Sequence, residues 1–233
     1  NAGNIALDSQ GRLWIGSWGG GVIKFDRKSQ LFTHYEYSPN DPSKANDIYI
    51  QSVFEDSNNI MWFGGRSRGL SKFDSSNQIF EQLPIKNSES DGVSDARIWD
   101  IAQSEPNALW IATGYGLNRL NTITSQFSHL FPEPDAPSST LNKIRSIEVN
   151  KNGNLFLGTQ NGVVFFNAER NEFAVLEIED TSLNNMGPIY SMIGTSFGQY
   201  WVTSDHGVYS FSDTDRTLRK VPLGFDDSCS QIL

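Results

Sequence analysis

Residues 8–26 of the chain read DSQGRLWIGSWGGGVIKFD, and residues 56–74 read DSNNIMWFGGRSRGLSKFD. Both stretches contain an Asp-led turn, an aromatic residue between apolar neighbours, a glycine-containing turn and a final Lys-Phe-Asp. Short runs of apolar and β-branched residues between turn-forming residues are typical of β-strands joined by tight hairpins. The same arrangement used twice in one chain predicts a repeat protein.

The central segment of this arrangement recurs five times. In each copy an aromatic residue stands between two large apolar or aromatic residues and precedes a small one. The aromatic residues are Trp14, Trp62, Trp110, Phe156 and Trp201, at steps of 48, 48, 46 and 45 residues. A residue type that recurs in every unit answers a structural demand, so we predict that all five rings lie in the core between neighbouring sheets.

Each unit contains four runs of four to six residues, and helix-length segments with a 3.6-residue period are missing. Four-stranded units repeated about every 45 residues are typical of propeller blades. The predicted fold class is all-β, a β-propeller of four-stranded antiparallel blades with about five blades plus one extra strand. The predicted blades are residues 4–35, 48–83, 96–130, 142–176 and 187–221. Residues 228–233 are predicted to form the inner strand of a further blade.

The predicted domain organisation is a single propeller domain over residues 4–233, cut from a larger propeller. Residues 1–3 are interpreted as a vector-derived scar and a disordered start. An incomplete ring would leave two sheet faces uncovered, and we expect these faces to favour a homodimer. The pair Asn161-Gly162 predicts a type I′ hairpin between the second and third strands of the fourth blade.

Composition narrows the classes of partner. The 233 residues include 18 basic and 27 acidic side chains, and the net charge of −9 disfavours nucleic acid and anionic membranes. The single cysteine, Cys229, has no partner for an intrachain disulfide. The three histidines do not have the spacing of a metal site, and no phosphate-binding glycine motif precedes a helix. We therefore predict no catalytic residues, no metal and no cofactor.

The pattern Asp-x-x-Gly-x-Leu-Trp-Ile-Gly at Asp8–Gly16, followed by the Gly-Gly-Gly-Val-Ile-Lys-Phe-Asp run that ends at Asp26, resembles the two-component regulator propeller repeat. The resemblance extends from residue 5 to about residue 221, and later blades depart from the pattern, as where Phe156 replaces tryptophan. It implies the periplasmic sensor region of a bacterial hybrid histidine kinase or related receptor. Several members of that family recognise oligosaccharides, so the resemblance implies a small-molecule or oligosaccharide ligand. It also implies that further blades and an output domain belong to the parent receptor.

Residues that differ from blade to blade at one end of the strands are candidates for ligand binding, because the fold does not demand them. They lie in the loops between second and third strands or at one aligned position of the first strands. The candidates are Trp18, Arg66, Arg68, Trp99, Tyr115, Arg145, Tyr190 and His206. Aromatic faces stack on sugar rings and arginine donates to hydroxyls or carboxylates, a mixture that suits a glycan or an acidic saccharide.

Two alternatives to ligand sensing stay open at this point. One is a protein-interaction scaffold without a small ligand. The other is a glycan-active hydrolase or lyase, in which carboxylates from different blades converge as an acid and base pair. The carboxylates considered for that role are Asp47, Asp95, Asp100 and Asp205.

Overall fold

The computed structural model describes residues 2–38, 40–87, 91–180 and 186–222. Over these ranges the structure is all-β, and the helical content is one 3-10 turn at Thr140–Asn142. No helix in this part of the chain has the length and apolar character needed to cross a membrane. Residues 228–233, the predicted strand of a further blade, lie outside the described residues.

Five sheets are present in the described ranges, and each contains four strands that follow one another in sequence. Sheet 1 comprises β1 (Ala2–Leu7), β2 (Arg12–Ser17), β3 (Val22–Asp26) and β4 (Leu31–Tyr35). Sheet 2 comprises β5 (Ile50–Glu55), β6 (Met61–Gly65), β7 (Leu70–Asp74) and β8 (Ile79–Gln82). Sheet 3 comprises β9 (Ile98–Glu105), β10 (Ala108–Thr113), β11 (Leu117–Asn121) and β12 (Phe127–Leu130).

The last two sheets follow the same plan. Sheet 4 comprises β13 (Ile144–Val149), β14 (Leu155–Thr159), β15 (Gly162–Asn167) and β16 (Glu172–Val175). Sheet 5 comprises β18 (Ile189–Gly194), β19 (Gln199–Ser204), β20 (Gly207–Ser212) and β21 (Thr217–Lys220). A short fifth strand, β17 (Glu177–Ile178), pairs parallel to β21. The predicted all-β fold of about five four-stranded sheets is confirmed.

The chain divides into two compact units. The first extends through Gly114 and continues over Asn118–His129, so it holds sheets 1 and 2 and most of sheet 3. The second takes in Tyr115–Leu117 and the described residues from Leu130 onward, including sheets 4 and 5. Apolar clusters fill the space between sheets 1 and 2 and between sheets 2 and 3 in the first unit, and between sheets 4 and 5 in the second.

The repeated Asp-led turn fixes the repeated tryptophan. The Asp8 carboxylate accepts the Trp14 indole N–H at 2.7 Å, and the Asp56 carboxylate accepts that of Trp62 at 2.9 Å. In sheet 3 the Ser104 hydroxyl accepts the Trp110 N–H at 2.8 Å. A buried indole N–H needs an acceptor, and these contacts explain the spacing of six residues between the turn residue and the ring.

Consecutive sheets interlock through an isoleucine and a glycine. The first-strand isoleucine of one sheet lies over the second-strand glycine of the preceding sheet, and this contact occurs in both units. A Cβ added at Gly64 would lie 2.6 Å from Cγ2 of Ile98, and one added at Gly158 would lie 2.7 Å from Cγ2 of Ile189. A Cβ at either position would clash with the isoleucine, so packing between the sheets requires glycine at Gly64 and Gly158.

Four of the five predicted core rings are buried, and the prediction for the fifth is wrong. Trp14, Trp62, Trp110 and Phe156 are almost fully buried, whereas Trp201 is 40% exposed. Trp201 occupies the face of sheet 5 that in the other sheets meets a following sheet, and no sheet follows β21 in the described residues. Its neighbour Tyr200 points the other way and stacks on Phe211, 5.0 Å between ring centroids.

Two further expectations differ from the structure. Strand β1 begins at Ala2, which pairs with Ser17, so residues 2 and 3 belong to sheet 1 rather than to a disordered start. Of the predicted type I′ pair Asn161-Gly162, only Gly162 has a positive φ, of 91°. Gly162 is the first residue of β15, and its N–H donates to the Gly187 carbonyl. The loop itself is made of residues 160 and 161.

The predicted uncovered face of sheet 1 carries apolar side chains that are largely exposed. Ile5, Leu7 and Phe32 are exposed on it, and Phe32 stacks on Phe25 at 4.5 Å. Nothing described here tests whether a second copy covers this face, so the homodimer stays a prediction.

Replacing Gly64 by alanine tests the interlock between sheets 2 and 3. The added methyl group displaces the Ser52 hydroxyl of the same sheet and Ile98 of sheet 3, and we expect the free energy of unfolding in urea to fall by about 1–3 kcal/mol. Gly20→Ala is the matched control, because its Cβ meets the end of the flexible Ser17 side chain at 2.8 Å. That change is expected to stay within about 0.5 kcal/mol. Equal losses in both variants would contradict the interlock.

Candidate ligand-binding rim

In both units, a turn between a second and a third strand is hydrogen-bonded to the segment that leads into a following first strand. The Gly69 N–H donates to the Ala96 carbonyl at 2.8 Å in the first unit, and the Gly116 N–H donates to the Asn142 carbonyl at 2.7 Å in the second. Both glycines have positive φ, a conformation that glycine adopts at low cost. These bonds place the turns beside the starts of the following first strands. We call this end of the sheets the rim.

Every first strand has a β-bulge at the rim. In β5, Ile50 pairs with Gly65 and Ser52 with Gly64, so Gln51 is left out of the register. The equivalent extra residues in the other sheets are Gly3, Trp99, Arg145 and Tyr190. A bulge redirects its extra side chain away from the regular pleat and is common beside binding sites. The first-strand position whose residue differs from sheet to sheet is therefore the bulge position, which has no partner in the strand register.

In the first unit, Trp18, Tyr49 and Arg66 form one cluster. Cζ of Arg66 lies 5.5 Å from the centroid of the Trp18 ring and 5.9 Å from that of Tyr49. The Arg66 N–H also donates to the Tyr49 carbonyl at 3.0 Å, which holds the backbone of the turn against sheet 2. The indole of Trp18 lies against the bulge residue Gly3, where an added Cβ would be 2.7 Å from its Cδ1.

Two more arginine–aromatic pairs lie at the rim of this unit. Cζ of Arg68 is 5.5 Å from the centroid of Tyr37, and Cζ of Arg97 is 5.7 Å from that of Trp99. The turn that carries Arg68 rests on the segment before β9, through the bond from Gly69 to Ala96. The structure thus brings Trp18, Arg66, Arg68 and Trp99 of the predicted residues to one rim.

In the second unit, the predicted residues Arg145 and Tyr190 are in contact. Cζ of Arg145 lies 5.8 Å from the Tyr190 ring centroid, and its Nε donates to Oε1 of Gln160 at 3.0 Å. The Tyr190 hydroxyl donates to the Asp205 carboxylate at 2.5 Å. This hydrogen bond, with burial and the charge of Asp205, raises the pKa of Tyr190 above its usual value. Tyr190 is 44% exposed, so its ring is accessible to a ligand.

The remaining two predicted residues also lie in the second unit. Tyr115 is partly exposed and packs against Phe131, with 4.9 Å between ring centroids. His206 is exposed in the turn between β19 and β20, and its backbone N–H donates to the Ser204 hydroxyl at 3.2 Å. The structure gives His206 a surface position beside Asp205 but shows no role for its ring.

The arginines of the rim differ in their partners from two of the three arginines elsewhere in the first unit; the third, Arg27, also has no ion pair among the described residues. Arg12 and Arg119 are ion-paired, with Asp8 and Glu105. Arg66, Arg68 and Arg97 have no carboxylate within ion-pair distance among the described residues, and each rests on an aromatic ring. Their guanidinium groups are therefore oriented without being neutralised.

The carboxylates considered for catalysis have structural partners. Asp47 is almost fully buried, and its carboxylate accepts backbone N–H groups of Tyr49, Ser67 and Arg68. Asp95 accepts the Arg97 N–H at 2.7 Å, and Asp205 accepts the Tyr190 hydroxyl. Asp47 thus fastens the rim turn of sheet 2 to the chain that enters it. No group of three metal-binding side chains occurs in the ranges described.

Sequence reasoning missed several residues of the rim. Tyr37 lies in the connection between sheets 1 and 2, and Tyr49 and Arg97 lie directly before β5 and β9. Gln160 lies in the turn and orients Arg145. In sheets 2 to 5 the first strand begins with an isoleucine, and Tyr49 and Arg97 directly precede it in sheets 2 and 3. Comparing this position between repeats could have identified both residues.

Comparison with known proteins identifies the repeat. Residues 1–19 and 43–67 match the family model described as two component regulator propeller. No curated protein matches the sequence. The predicted resemblance to this repeat family is confirmed by the family model, which covers part of sheets 1 and 2.

Solved structures show the same fold. The extracellular domain of a protein described as a hybrid two component system from B. thetaiotaomicron superposes with a TM-score of 0.77 at 19% identity, over 99% of this chain and 30% of that one. A second such domain from that organism has a TM-score of 0.75 at 20% identity, over 97% and 30%. This chain therefore spans about a third of the length of these proteins.

An enzyme shares the fold as well. A virginiamycin B lyase from Staphylococcus aureus has a TM-score of 0.73 at 13% identity, over 97% of this chain and 71% of that one. At such identities the likeness shows the fold alone, which confirms the predicted β-propeller class and a partial propeller.

Substituting Asp205 by asparagine tests the Tyr190 contact. The folded-state pKa of Tyr190 lies above its usual value of 10.0, so its hydrogen bond stabilises the fold below pH 10 and is lost as the pH rises through the folded-state value. We expect Asp205→Asn to lower this pKa, as measured by a 13C NMR titration of the tyrosine Cζ signals. The control Asp213→Asn acts on Tyr200, whose pKa burial, Asp213 and Glu148 raise to about 12. An unchanged Tyr190 titration in Asp205→Asn would contradict the assignment.

Proposed function

Because the chain carries repeats of the two-component regulator propeller family, we propose that it is the ligand-sensing part of an extracytoplasmic receptor domain and that its rim binds an acidic saccharide. The similar folds of two extracellular domains described as hybrid two component systems support the receptor assignment. In this proposal the signal passes to an output domain elsewhere in the parent receptor.

The observation that carries the ligand class is the set of arginines without carboxylate partners. The chain has a net charge of −9, yet Arg66, Arg68 and Arg97 lie at one rim and rest on aromatic rings. A guanidinium group above a ring keeps its N–H donors directed outward and loses little freedom when it binds. A sugar carboxylate or sulfate matches these donors in charge and in bidentate geometry.

The aromatic residues of the rim supply the other half of saccharide recognition. Trp18, Tyr49 and Tyr190 are all exposed to a third or more of their surface. Aromatic faces of this kind pack against the C–H groups of sugar rings, while the charged neighbours bind the hydroxyl groups. In the second unit the Tyr190 ring is contacted by the Arg145 guanidinium, and the Tyr190 hydroxyl donates to Asp205. This cluster offers a sugar an aromatic face, a hydrogen-bond donor and an acceptor.

The binding experiment compares acidic and neutral oligosaccharides by isothermal titration calorimetry. Oligosaccharides that contain uronic acids are expected to bind, and neutral oligosaccharides of the same length are expected to bind at least tenfold more weakly. Arg66→Ala and Arg97→Ala should each weaken binding of the acidic saccharide about tenfold or more, because each removes a charge-assisted contact.

Arg27→Ala is the matched control. Arg27 is exposed in the turn between β3 and β4, at the other end of sheet 1, and its substitution changes the net charge equally. Binding that is unchanged in Arg27→Ala and weakened in the two rim variants supports the proposal. If no saccharide binds, or if all three variants weaken binding alike, the rim is not the saccharide site.

A further inference from the structure

A cavity of about 500 Å³ opens between sheets 2 and 3 at the end opposite to the rim. It is lined by the turn between β5 and β6, by the turn between β7 and β8, and by two turns of sheet 3. All of its residues belong to the first unit. Trp62 lies at its inner side, and Asp56, Ile60 and Ile123 are among its walls.

Sheet 1 shows how the chain fills the equivalent place over Trp14. Oδ1 of Asp8 accepts two backbone N–H groups, from Gln10 and Arg12, while Oδ2 accepts the Trp14 indole N–H. Oδ2 also accepts Nε of Arg12 at 2.6 Å, and Cζ of Arg12 lies 5.8 Å from the Trp14 ring centroid. A guanidinium group therefore bonds to the buried carboxylate and covers the ring.

Sheet 2 keeps three of these four contacts and lacks the fourth. Oδ1 of Asp56 accepts the N–H groups of Asn58 and Ile60, and Oδ2 accepts the Trp62 indole N–H at 2.9 Å. Ile60 stands where Arg12 stands in sheet 1, so no guanidinium reaches Oδ2. Asp56 is only 4% exposed and forms no ion pair within the described part of the chain. A buried carboxylate is normally paired or fully hydrogen-bonded, as Asp47 is through three donors to its Oδ2, whereas among the described residues Oδ2 of Asp56 accepts only the indole N–H.

The third strands of sheets 1 and 3 also place a cation over the equivalent ring. Nζ of Lys24 lies 5.5 Å from the Trp14 centroid, and Cζ of Arg119 lies 5.7 Å from the Trp110 centroid. In sheet 2 the nearest candidate, Lys72, is paired with Glu81 at 3.1 Å instead. Within the described residues no cation lies over Trp62.

We propose that this cavity is a binding site for an organic cation, a guanidinium or ammonium group on a short aliphatic chain. The head group bonds to Oδ2 of Asp56 and lies over Trp62, as Arg12 does over Trp14. The aliphatic chain packs against Ile60, Phe73 and Ile123 toward the cavity mouth. Asp74 and Glu81 add negative charge there, against the single positive charge of Lys72, which favours a cation further.

The proposal is independent of saccharide binding, since the cavity and the rim lie at opposite ends of the sheets. The probes are n-butylguanidinium, n-butylammonium and the neutral isostere n-butylurea. Binding is followed by two-dimensional NMR through the indole N–H signal of Trp62, assigned with a Trp62→Phe variant. We expect saturable shifts of that signal with both cations, and binding of n-butylurea at least tenfold weaker.

Ile60→Arg restores the contact that sheet 1 already has and fills the cavity with the chain's own guanidinium. We expect this variant to bind n-butylguanidinium at least tenfold more weakly and to unfold at a higher temperature. Ser29→Arg adds the same charge at an exposed position of sheet 1 that does not line the cavity, and it is expected to bind n-butylguanidinium as the unsubstituted chain does.

The natural source of the cation is distinguished with two further probes, agmatine and an arginine residue capped at both ends. Tighter binding of agmatine indicates a free amine, and equal or tighter binding of the capped arginine indicates a basic side chain of a peptide. The site is disproved if neither butyl cation shifts the Trp62 signal, if n-butylurea binds as well as the cations, or if Ile60→Arg binds n-butylguanidinium unchanged.

Discussion

The contact on which the rest of the structure depends is that between the first strand of one sheet and the second strand of the sheet before it. The first-strand isoleucine occupies the space above a glycine, as Ile98 does above Gly64, and brings the two sheets close enough to bury the tryptophan beside it. A four-stranded sheet of this size cannot bury enough surface alone, so its stability comes largely from the sheet that follows. The repeat is conserved within the chain where these contacts are made and varies elsewhere.

The same arrangement explains where variation is tolerated. Hydrogen bonds such as that from Gly69 to Ala96 fix the backbone of the rim, and the bulge in each first strand frees one side chain from pairing. The backbone of the rim is therefore fixed by hydrogen bonds, while the side chain at the bulge position differs from sheet to sheet. It is Gln51, Trp99, Arg145 or Tyr190 in sheets 2 to 5. At the opposite end of the sheets, Ile60 of sheet 2 holds the position that Arg12 has in sheet 1, and a cavity is left beside it. The turn around Ile60 keeps its hydrogen bonds to Asp56.

Much of the fold can be predicted from the sequence because the same pattern of turn, aromatic residue and glycine recurs in every unit. The spacing of the rings and glycines predicts five sheets, their strands and the end at which the variable residues gather. The burial of Trp201 was mispredicted because alignment shows which face a side chain occupies but not whether a sheet covers that face. The turn at Gly162 was mispredicted because the two loop residues are 160 and 161, so Gly162 opens β15 and lies outside the turn.

The candidate site was only partly predictable for a related reason. Variable positions such as Arg66 and Tyr190 could be found by comparing repeats, but their partners could not. Whether an arginine is ion-paired, as Arg12 is, or rests on a ring without a carboxylate, as Arg97 does, depends on the direction that the backbone gives its side chain, as at the bulge that holds Trp99. The bulge is equally invisible in the sequence, since it is a property of the register between two strands.

The central claim is that, within the first unit, sheet 2 is locked to sheet 3 by the glycine turn as well as by the core. Amide hydrogen exchange of Gly69, measured by NMR, tests it directly, because this N–H lies in a turn yet donates to Ala96 of the following sheet. The account predicts that Gly69 exchanges as slowly as the amides in the middle of β6. Exchange at the rate of an unstructured peptide would show that the turn is not held by the next sheet, and the account would be wrong.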